Sequence, residues 1–249
     1  MELAGWLAEA RRVVVLTGAG ISTESGIPDF RGPDGVWTKD PSAEKLSSLP
    51  HYLASREIRV ASWKSRLAHP AWTATPNPGH LALVEIERRG HLHLLVTQNI
   101  DGLHTLAGSS PEITVEIHGT VHEVVCMSCG DRSPMPAALA RVRAGEEDPA
   151  CRRCGGILKS ATISFGQSLV ASDLERASRS AASCDLFLAI GTSLTVHPVA
   201  SFPELAVRTG ARLAILNAQP TPYDVAAHCV CRLPIGSALT FLANALRVD

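Results

Sequence analysis

The sequence predicts an α/β fold in which a doubly wound, parallel, Rossmann-like sheet carries two insertions. Short runs of β-branched and aliphatic residues recur along the chain, and segments with helical periodicity lie between several of them. Runs that are apolar at every position are typical of parallel strands buried on both faces. Alternation of such strands with helices is typical of βαβ units. Two segments, residues 28–77 and 122–159, interrupt the alternation.

The elements of the predicted sheet follow in chain order. A helix is predicted over residues 2–12, where Leu3, Leu7 and Ala10 recur at spacings of three and four. The predicted strands cover residues 13–16, 92–97, 113–117, 186–190, 213–216 and 229–233. Further helices are predicted over residues 80–89, 173–183, 203–209 and 238–246.

The two interruptions predict inserted units. Residues 28–77 are rich in proline and predict a long loop followed by short helices, whereas residues 122–159 contain four cysteines and a helix-like stretch over 136–144. Loops of this length are usually functional or form modules of their own. The predicted division is a Rossmann-like domain, a helical insertion with a cofactor loop, and a zinc-binding module. The Rossmann-like domain is predicted to comprise residues 1–35, 76–121 and 160–249. The helical insertion is predicted over residues 36–75 and the zinc-binding module over residues 122–159.

The composition bounds the class of protein. The 249 residues include 23 basic and 24 acidic side chains, which gives a formal net charge of −1, and 45% of the residues are hydrophobic. This balance excludes a disordered chain and offers no basic footprint for nucleic acid or an anionic membrane. The amino terminus has no basic leader segment, and no apolar run approaches the ~18 residues of a spanning helix. We therefore expect a cytoplasmic protein without nucleic-acid or membrane partners, and the oligomeric state stays open.

Two Cys-x-x-Cys-Gly segments predict a metal site. They contain Cys126 with Cys129, and Cys151 with Cys154. Four thiolates suit tetrahedral Zn²⁺, and a site with all four positions filled is structural. The alternative is four free thiols or disulfides. The other three cysteines lie in or beside apolar runs and are predicted to be inert core residues: Cys184, Cys229 and Cys231.

A glycine-rich turn follows the first predicted strand. The segment Thr17-Gly18-Ala19-Gly20-Ile21-Ser22 stands where backbone amides can cradle a phosphate. Thr23 occupies the position of the third glycine of the dinucleotide-binding motif, and no acidic residue is clearly placed to hold a ribose. Taken alone, the segment is equally a tight turn between a strand and a helix.

The continuation of this turn carries a family resemblance. Residues 18–32 read Gly-Ala-Gly-Ile-Ser-Thr-Glu-Ser-Gly-Ile-Pro-Asp-Phe-Arg-Gly. Further blocks follow in order: Thr97-Gln98-Asn99-Ile100-Asp101-Gly102-Leu103-His104, His118-Gly119, the two cysteine pairs, Phe165-Gly166, Gly191-Thr192-Ser193-Leu194 and Asn217. The chain thus resembles the sirtuins (Sir2 family) of bacterial type, which are NAD-dependent protein-lysine deacylases. The matching blocks span residues 17–217, nearly the whole chain.

The resemblance implies an activity and its catalytic residues. It implies a deacetylase that consumes NAD as a co-substrate and releases nicotinamide and O-acyl-ADP-ribose from acyl-lysine protein substrates, with one structural Zn²⁺. His118 would be the general base, and Asn99 and Asp101 would bind the nicotinamide carboxamide and a local water network. The alternative is protein mono-ADP-ribosylation at the same NAD site. A redox Rossmann enzyme and a nucleic-acid-binding zinc ribbon are further alternatives.

The resemblance also implies the binding residues. Arg31 suits a pyrophosphate and Phe30 would cover the nicotinamide, although Asp29 and Arg31 could instead form a surface pair with Phe30 in the core. The implied NAD-binding residues are Gly18, Ala19, Gly20, Ile21, Ser22, Asp29, Phe30, Arg31, Trp37, Gln98, Asn99, Ile100, Asp101, Gly191, Thr192, Ser193, Asn217, Ala218, Gln219 and Ala238. The implied substrate-binding residues are Ile163, Phe165 and Gly166, in a segment that pairs with the substrate peptide through its main chain.

The sequence departs from the family pattern at three places. Ser160 stands where the family often has proline, and Gln167 replaces a glutamate. Trp63-x-x-Arg66 is the nearest match to the Tyr-x-x-Arg pair of members that remove acidic acyl groups, and it lacks the phenolic hydroxyl. Arg66 could still face a carboxylate. The alternative is that Trp63 packs in the core of the insertion while Arg66 is a solvated charge, so the preferred acyl chain stays open.

Overall fold

The computed structural model describes residues 2–40 and 45–246. The outermost residues of the predicted Rossmann-like domain (1 and 247–249) and part of the predicted helical insertion (41–44) lie outside this range. The helices are α1 (Glu2–Glu9), α2 (Val36–Lys39), α3 (Leu49–Ala54), α4 (Arg56–Leu67), α5 (Pro78–Arg88), α6 (Leu103–Ala107), α7 (Met135–Arg143), α8 (Ala171–Ala181), α9 (Phe202–Arg208) and α10 (Ile235–Ala245). The strands are β1 (Val13–Thr17), β2 (Leu92–Thr97), β3 (Thr114–Glu116), β4 (Gly119–Cys126), β5 (Arg132–Pro134), β6 (Leu158–Thr162), β7 (Leu186–Ile190), β8 (Arg212–Leu216) and β9 (Cys229–Cys231).

The main sheet contains six parallel strands in the order β3-β2-β1-β7-β8-β9. Thr17 at the end of β1 pairs with Thr97 of β2 on one side and with Ile190 of β7 on the other, so these three strands end at one level. The strand order reverses between β1 and β7, which makes their carboxyl ends the topological switch point. The predicted doubly wound parallel sheet is confirmed.

Both faces of this sheet are covered by helices. Val13 and Val15 pack toward α1, α5 and α10, whereas Val14 and Leu16 pack toward α8 and α9. Successive side chains of a strand point to opposite faces, so a strand buried on both must be apolar at every position. This arrangement explains the uninterrupted apolar runs.

The first helix is shorter than the predicted range of residues 2–12. It ends at Glu9, because the backbone amides of Arg11 and Arg12 each donate to the carboxylate of Asp185 at 2.9 Å. These two bonds turn the chain from α1 into β1. The aspartate that directs them is 173 residues away along the chain, so local periodicity does not reveal it.

A second, antiparallel sheet has the order β5-β4-β6 and carries α7. The sequence predicted α7 but neither β4 nor β5. The predicted boundaries at residues 121/122 and 159/160 fall inside β4 and β6, so this sheet runs across both. The division of the chain into three units stays a prediction. Within the described part of the chain, the structure contains no helix that is both long and apolar enough to cross a membrane.

Candidate functional site

The predicted site residues lie mainly on loops at the carboxyl ends of the parallel strands. Gly18 follows β1, Gln98 follows β2, Gly191 follows β7 and Asn217 follows β8, while His118 comes two residues after β3. Ligands of open α/β sheets bind in the crevice outside the carboxyl ends of the strands, at the switch point. The fold therefore gathers residues that are up to 199 positions apart in the chain into one crevice.

The glycine turn is held against the loop after β7. It forms short 3₁₀ turns, Ala19–Ile21 and Thr23–Ser25, rather than the start of an α-helix. A Cβ on Gly18 would lie 2.7 Å from the Gly191 carbonyl oxygen, and one on Gly20 would lie 2.7 Å from the Gly191 Cα. Both glycines are required by this approach of two backbones, independently of any ligand.

Most amides of this turn are bonded within the protein. Those of Gly18, Gly20, Ile21 and Ser22 donate to backbone carbonyls at 2.8–3.1 Å. Ala19 is the one residue from 18 to 22 whose amide has no backbone acceptor. A phosphate could thus receive one hydrogen bond from this stretch, fewer than the sequence motif suggests.

Three polar side chains form a buried network behind the turn. The Ser22 hydroxyl donates to Asp101 Oδ2 at 2.7 Å, and Asn99 Nδ2 donates to Ser22 Oγ at 3.0 Å and to the Gly18 carbonyl at 3.1 Å. Asp101 Oδ1 accepts the Leu103 amide at the start of α6. The network orients Asn99 and Asp101 rigidly, because buried polar groups are expensive to leave unpaired.

Gln98 connects the loops that follow β1, β2 and β7. Its Nε2 donates to Thr192 Oγ1 at 2.9 Å and lies 3.3 Å from the Thr17 carbonyl oxygen. Asn217, after β8, donates from Nδ2 to the Gln219 carbonyl at 2.9 Å. Ala218 and Gln219 are exposed, whereas Ser193 and Ile100 are half-buried. These predicted NAD contacts lie at the crevice end of the sheet. Ala238, also a predicted contact, lies in the first turn of α10, and its side chain packs into the core.

His118 is oriented by a backbone bond. Its Nδ1 lies 3.1 Å from the Gln98 carbonyl oxygen. A carbonyl can only accept, so Nδ1 carries the proton and the neutral ring keeps a lone pair on Nε2. Burial lowers the pKa of His118 below 6.5, and the bond to Gln98 opposes that shift without reversing it. His118 is therefore neutral at pH 7 with Nε2 able to accept a proton, which a general base requires.

An aromatic cluster joins the segment after the glycine turn to the segment after β6. Trp37 lies 4.7 Å from Phe30 and 5.6 Å from Phe165 between ring centroids, and the Arg31 guanidinium stacks 4.5 Å above the Trp37 ring. Phe30 is 39% exposed, and Asp29 accepts the Gly32 amide instead of pairing with Arg31. The alternative of a surface pair with Phe30 in the core is wrong. Arg31 forms no ion pair with the described residues, so its charge is available to a pyrophosphate.

The predicted peptide-binding segment is already paired along part of its length. Ile163 donates its amide to the His118 carbonyl, and Phe165 pairs through both its amide and its carbonyl with residues 47–49. Within the described residues, the Ile163 carbonyl and both the amide and the carbonyl of Gly166 have no partner. These three groups are the ones in residues 163–166 that an incoming peptide backbone could use. The Phe165 side chain is 40% exposed beside Trp37.

The four paired cysteines converge as predicted. The Sγ atoms of Cys126 and Cys154 are 3.5 Å apart, those of Cys129 and Cys151 are 3.8 Å apart, and all four lie within 4.8 Å of one another. A tetrahedral site with Zn–S of ~2.3 Å has sulfur–sulfur edges of ~3.8 Å. The four donors therefore fit zinc and leave no open position. All seven cysteines are free, so the disulfide alternative is wrong.

The remaining cysteines agree only in part with their prediction. Cys184 is buried in the core, where desolvation raises the pKa of its thiol to about 12. Cys229 and Cys231 are half-buried on β9, an edge strand, and so are not fully in the core.

The structure agrees with the alternative interpretation for Trp63 but not for Arg66. Trp63 is 1% exposed and packs with Val124 and Met135, so it is a core residue as the alternative expected. Arg66 is half-buried rather than fully solvated, and it lines a small cavity with Lys159 and Ser160. No local signal identified this cavity, since it forms only when α4 packs against β6.

A buried histidine pair, which the sequence did not reveal, lies beneath the crevice. His104 Nε2 lies 3.0 Å from Thr17 Oγ1, and the His80 and His104 rings are 4.8 Å apart. Desolvation lowers the pKa of His80 to about 4 and that of His104 to about 3. Both rings are therefore neutral at pH 7.

The fold and this site define a nucleotide-binding α/β protein with an inserted tetracysteine module. The Sir2 family model matches residues 18–198. The chain is 50% identical over 234 residues to NAD-dependent protein deacetylase 2 of Streptomyces coelicolor, covering 94% of this chain and 97% of the relative. It is 42% identical over 230 residues to the NAD-dependent protein deacylase of Thermus thermophilus, covering 91% and 87%. The chain belongs to the Sir2 family.

Solved structures agree with this assignment. A structure described as the structural basis for the mechanism and regulation of Sir2 enzymes superposes with a TM-score of 0.89 at 35% identity, covering 99% of this chain and 96% of the other. A Sir2 complex with a p53 peptide and NAD⁺ also has a TM-score of 0.89, at 29% identity over 100% and 98% of the two chains.

Proposed function

We propose that the protein is an NAD-dependent protein-lysine deacetylase that releases nicotinamide and O-acyl-ADP-ribose. The observation that carries the proposal is His118, whose Nδ1–H is fixed by the Gln98 carbonyl and whose Nε2 is a free base. It contacts the loop after β2, which also contains Asn99 and Asp101. Relatives named as deacetylases at 50% and 42% identity support the same activity.

Each group of side chains has its own role in the proposed reaction. Arg31 neutralises a pyrophosphate, while Phe30 and Trp37 exclude water from the reacting carbon. Asn99 and Asp101, held by Ser22, orient the nicotinamide carboxamide and a water network. Bound NAD supplies the ribose carbon that the acyl-lysine oxygen joins as nicotinamide departs. His118 Nε2 takes the proton from the ribose hydroxyl that receives the acyl group.

The tetracysteine site has a structural role in this proposal. A Zn²⁺ ion held by Cys126, Cys129, Cys151 and Cys154 has no position for water, so it stabilises the fold of the module and activates no nucleophile. Free thiols throughout the chain favour a reducing compartment, which supports a cytoplasmic location. The absence of a nucleic-acid partner stays a prediction.

The decisive experiment is mass spectrometry of the products formed from NAD and a panel of acyl-lysine peptides. We expect deacetylated peptide, nicotinamide and O-acetyl-ADP-ribose in equal amounts. Isotopically labelled NAD tests the alternative of mono-ADP-ribosylation in the same reaction. The proposal would be overturned if label from NAD were retained on protein and no peptide of the panel lost its acyl group.

A further inference from the structure

A small cavity lies between α4 and β6, outside the predicted cofactor and substrate residues. Its volume is about 20 Å³, enough for one or two water-sized occupants. The side chains that matter to its chemistry are Ser62, Trp63 and Arg66 from α4, and Lys159 and Ser160 from β6. His118 and the proposed NAD contacts are not among the residues that line it.

The cavity contains two cations without a carboxylate. The Arg66 guanidinium has no hydrogen-bond or ion-pair partner among residues 2–40 and 45–246. Lys159 is buried, and its ammonium donates to the backbone carbonyls of Ser160 and Thr162. Within the described chain no Asp or Glu lines the cavity, and nearby Asp148 is bonded to Arg59 at 2.8 Å. Buried charges are normally paired, since desolvation is costly.

Burial at the cavity lowers the pKa values of both cations. Burial lowers the pKa of Arg66, and burial together with the charge of Arg66 lowers that of Lys159 to about 8. Both groups nevertheless remain largely charged at pH 7. The two cations therefore repel each other across a space that none of the described carboxylates lines.

The other unpaired groups in the cavity are also donors. Trp63 Nε1 and the hydroxyls of Ser62 and Ser160 are buried without a hydrogen-bond partner. Indole can only donate, and a hydroxyl can donate when its partner is an acceptor. Water would satisfy some of these groups but would leave the positive charge uncompensated. An anion would satisfy the donors and the charge together.

We propose that this cavity binds a small inorganic anion, with chloride as the occupant that its size and donors fit best. Arg66 and Lys159 supply the charge, and Trp63 Nε1 with the two serine hydroxyls completes the coordination. The anion would join helix α4 to strand β6. The site would thereby stabilise the contact between the helical insertion and the small sheet without taking part in catalysis.

Chloride-dependent stability tests the proposal on the full-length, zinc-loaded protein. The melting temperature is measured while sodium chloride replaces sodium gluconate at constant ionic strength, and ³⁵Cl NMR line widths give the binding curve. We expect a saturable rise in melting temperature. Arg66→Gln should weaken chloride binding by ~10-fold or more, because a charge-assisted contact is lost. Lys64→Gln removes the same charge from the exposed side of α4 and should leave binding unchanged.

Ser160→Ala is the second variant, because Arg66→Gln could unfold the protein. It keeps both cations and should weaken chloride binding several-fold. The proposal is overturned if the wild-type protein shows no saturable difference between chloride and gluconate, or if Arg66→Gln and Lys64→Gln respond equally. It is also overturned if a succinyl-lysine peptide stabilises the protein through Arg66 whereas chloride does not.

Discussion

At the scale of single residues, the His118 tautomer is the feature that decides the chemistry. The Gln98 carbonyl fixes the proton on Nδ1, and no charged partner holds the ring in its protonated form. The sequence predicted this residue because it follows an apolar strand and stands before Gly119. It could not predict the tautomer, which depends on a carbonyl 20 residues away.

Replacing the proposed base should abolish turnover while preserving the fold. His118→Ala is expected to lower the deacetylation rate by ~10²–10⁴-fold, because a positioned proton acceptor is lost. The rate is measured by product mass spectrometry and the fold by circular dichroism. His93→Ala, at an exposed position of β2, is the matched control and should retain full activity. Normal activity in the His118 variant would remove His118 from the mechanism.

The acid side of the pH–rate profile should report the same residue. Because desolvation places the pKa of His118 below 6.5, kcat/KM should stay level from pH 8 down to about 6.5 and fall at lower pH as the ring gains a proton. A profile of kcat/KM for the acyl-peptide between pH 4.5 and 8.5 measures this. An acid limb centred clearly above 6.5 would contradict the assignment.

At the scale of elements, apolar periodicity was informative where both faces of a strand are buried. It predicted β1, β2, β7 and β8 within one residue at either end. It did not predict β4, because that strand mixes buried, half-buried and exposed positions and its pairing is set by β5 and β6. The cavity at Arg66 was equally hidden, since it depends on α4 and β6, which are almost one hundred residues apart.

Metal removal should unfold the small sheet. Residues 128–131 and 152–155 of the cysteine-bearing loops are exposed, and metal binding free energy in such modules is folding free energy. We expect Cys151→Ser to lose zinc by elemental analysis, to lose ellipticity and to be inactive. Cys229→Ser, half-buried on β9, should keep the metal and the activity. A folded, active Cys151→Ser protein without zinc would show that the cluster is not a metal site.

The His80–His104 pair should make stability depend on pH. Both rings are neutral in the folded protein, with pKa values of about 4 and about 3, and 6.5 is the ordinary value that the unfolded chain regains. Stability is therefore complete above about pH 6.5 and falls as the pH drops toward 4, because the unfolded chain binds protons that the folded chain cannot. The expected slope approaches ~1.4 kcal/mol per pH unit for each histidine.

Urea unfolding at pH 7, 6 and 5 measures this slope. His104→Asn removes one of the two groups and should flatten the dependence, whatever its effect on stability at pH 7. His91→Asn is the control, because His91 is half-buried whereas His80 and His104 are fully buried. Equal slopes in the wild-type and His104→Asn proteins would contradict the explanation.

At the scale of the whole molecule, the crevice depends on two backbones meeting at the switch point. The turn after β1 and the loop after β7 approach so closely that neither Gly18 nor Gly20 can carry a side chain without movement. The sequence predicted both loops as cofactor contacts from their motifs. Their direct contact with each other could not be predicted, because it follows from the order of the strands.

Gly20→Ala should therefore separate the two loops. The added Cβ would lie 2.7 Å from the Gly191 Cα, so we expect a loss of ~1–3 kcal/mol in unfolding free energy and a marked loss of NAD affinity. Chemical denaturation and isothermal titration with NAD measure the two effects. Gly5→Ala, where nothing lies within 4 Å, should be neutral or slightly stabilising. Wild-type affinity in Gly20→Ala would show that the contact is not essential.

The burial of Trp63 bears on how the molecule opens. The indole belongs to α4, yet its neighbours Val124 and Met135 belong to the small sheet and α7. Opening the tetracysteine module exposes this indole, and displacing α4 leaves a void among the cysteine-bearing loops. We therefore expect α4 and the small sheet to form one cooperative unit in native-state hydrogen exchange, with a protection free energy separate from that of the parallel sheet.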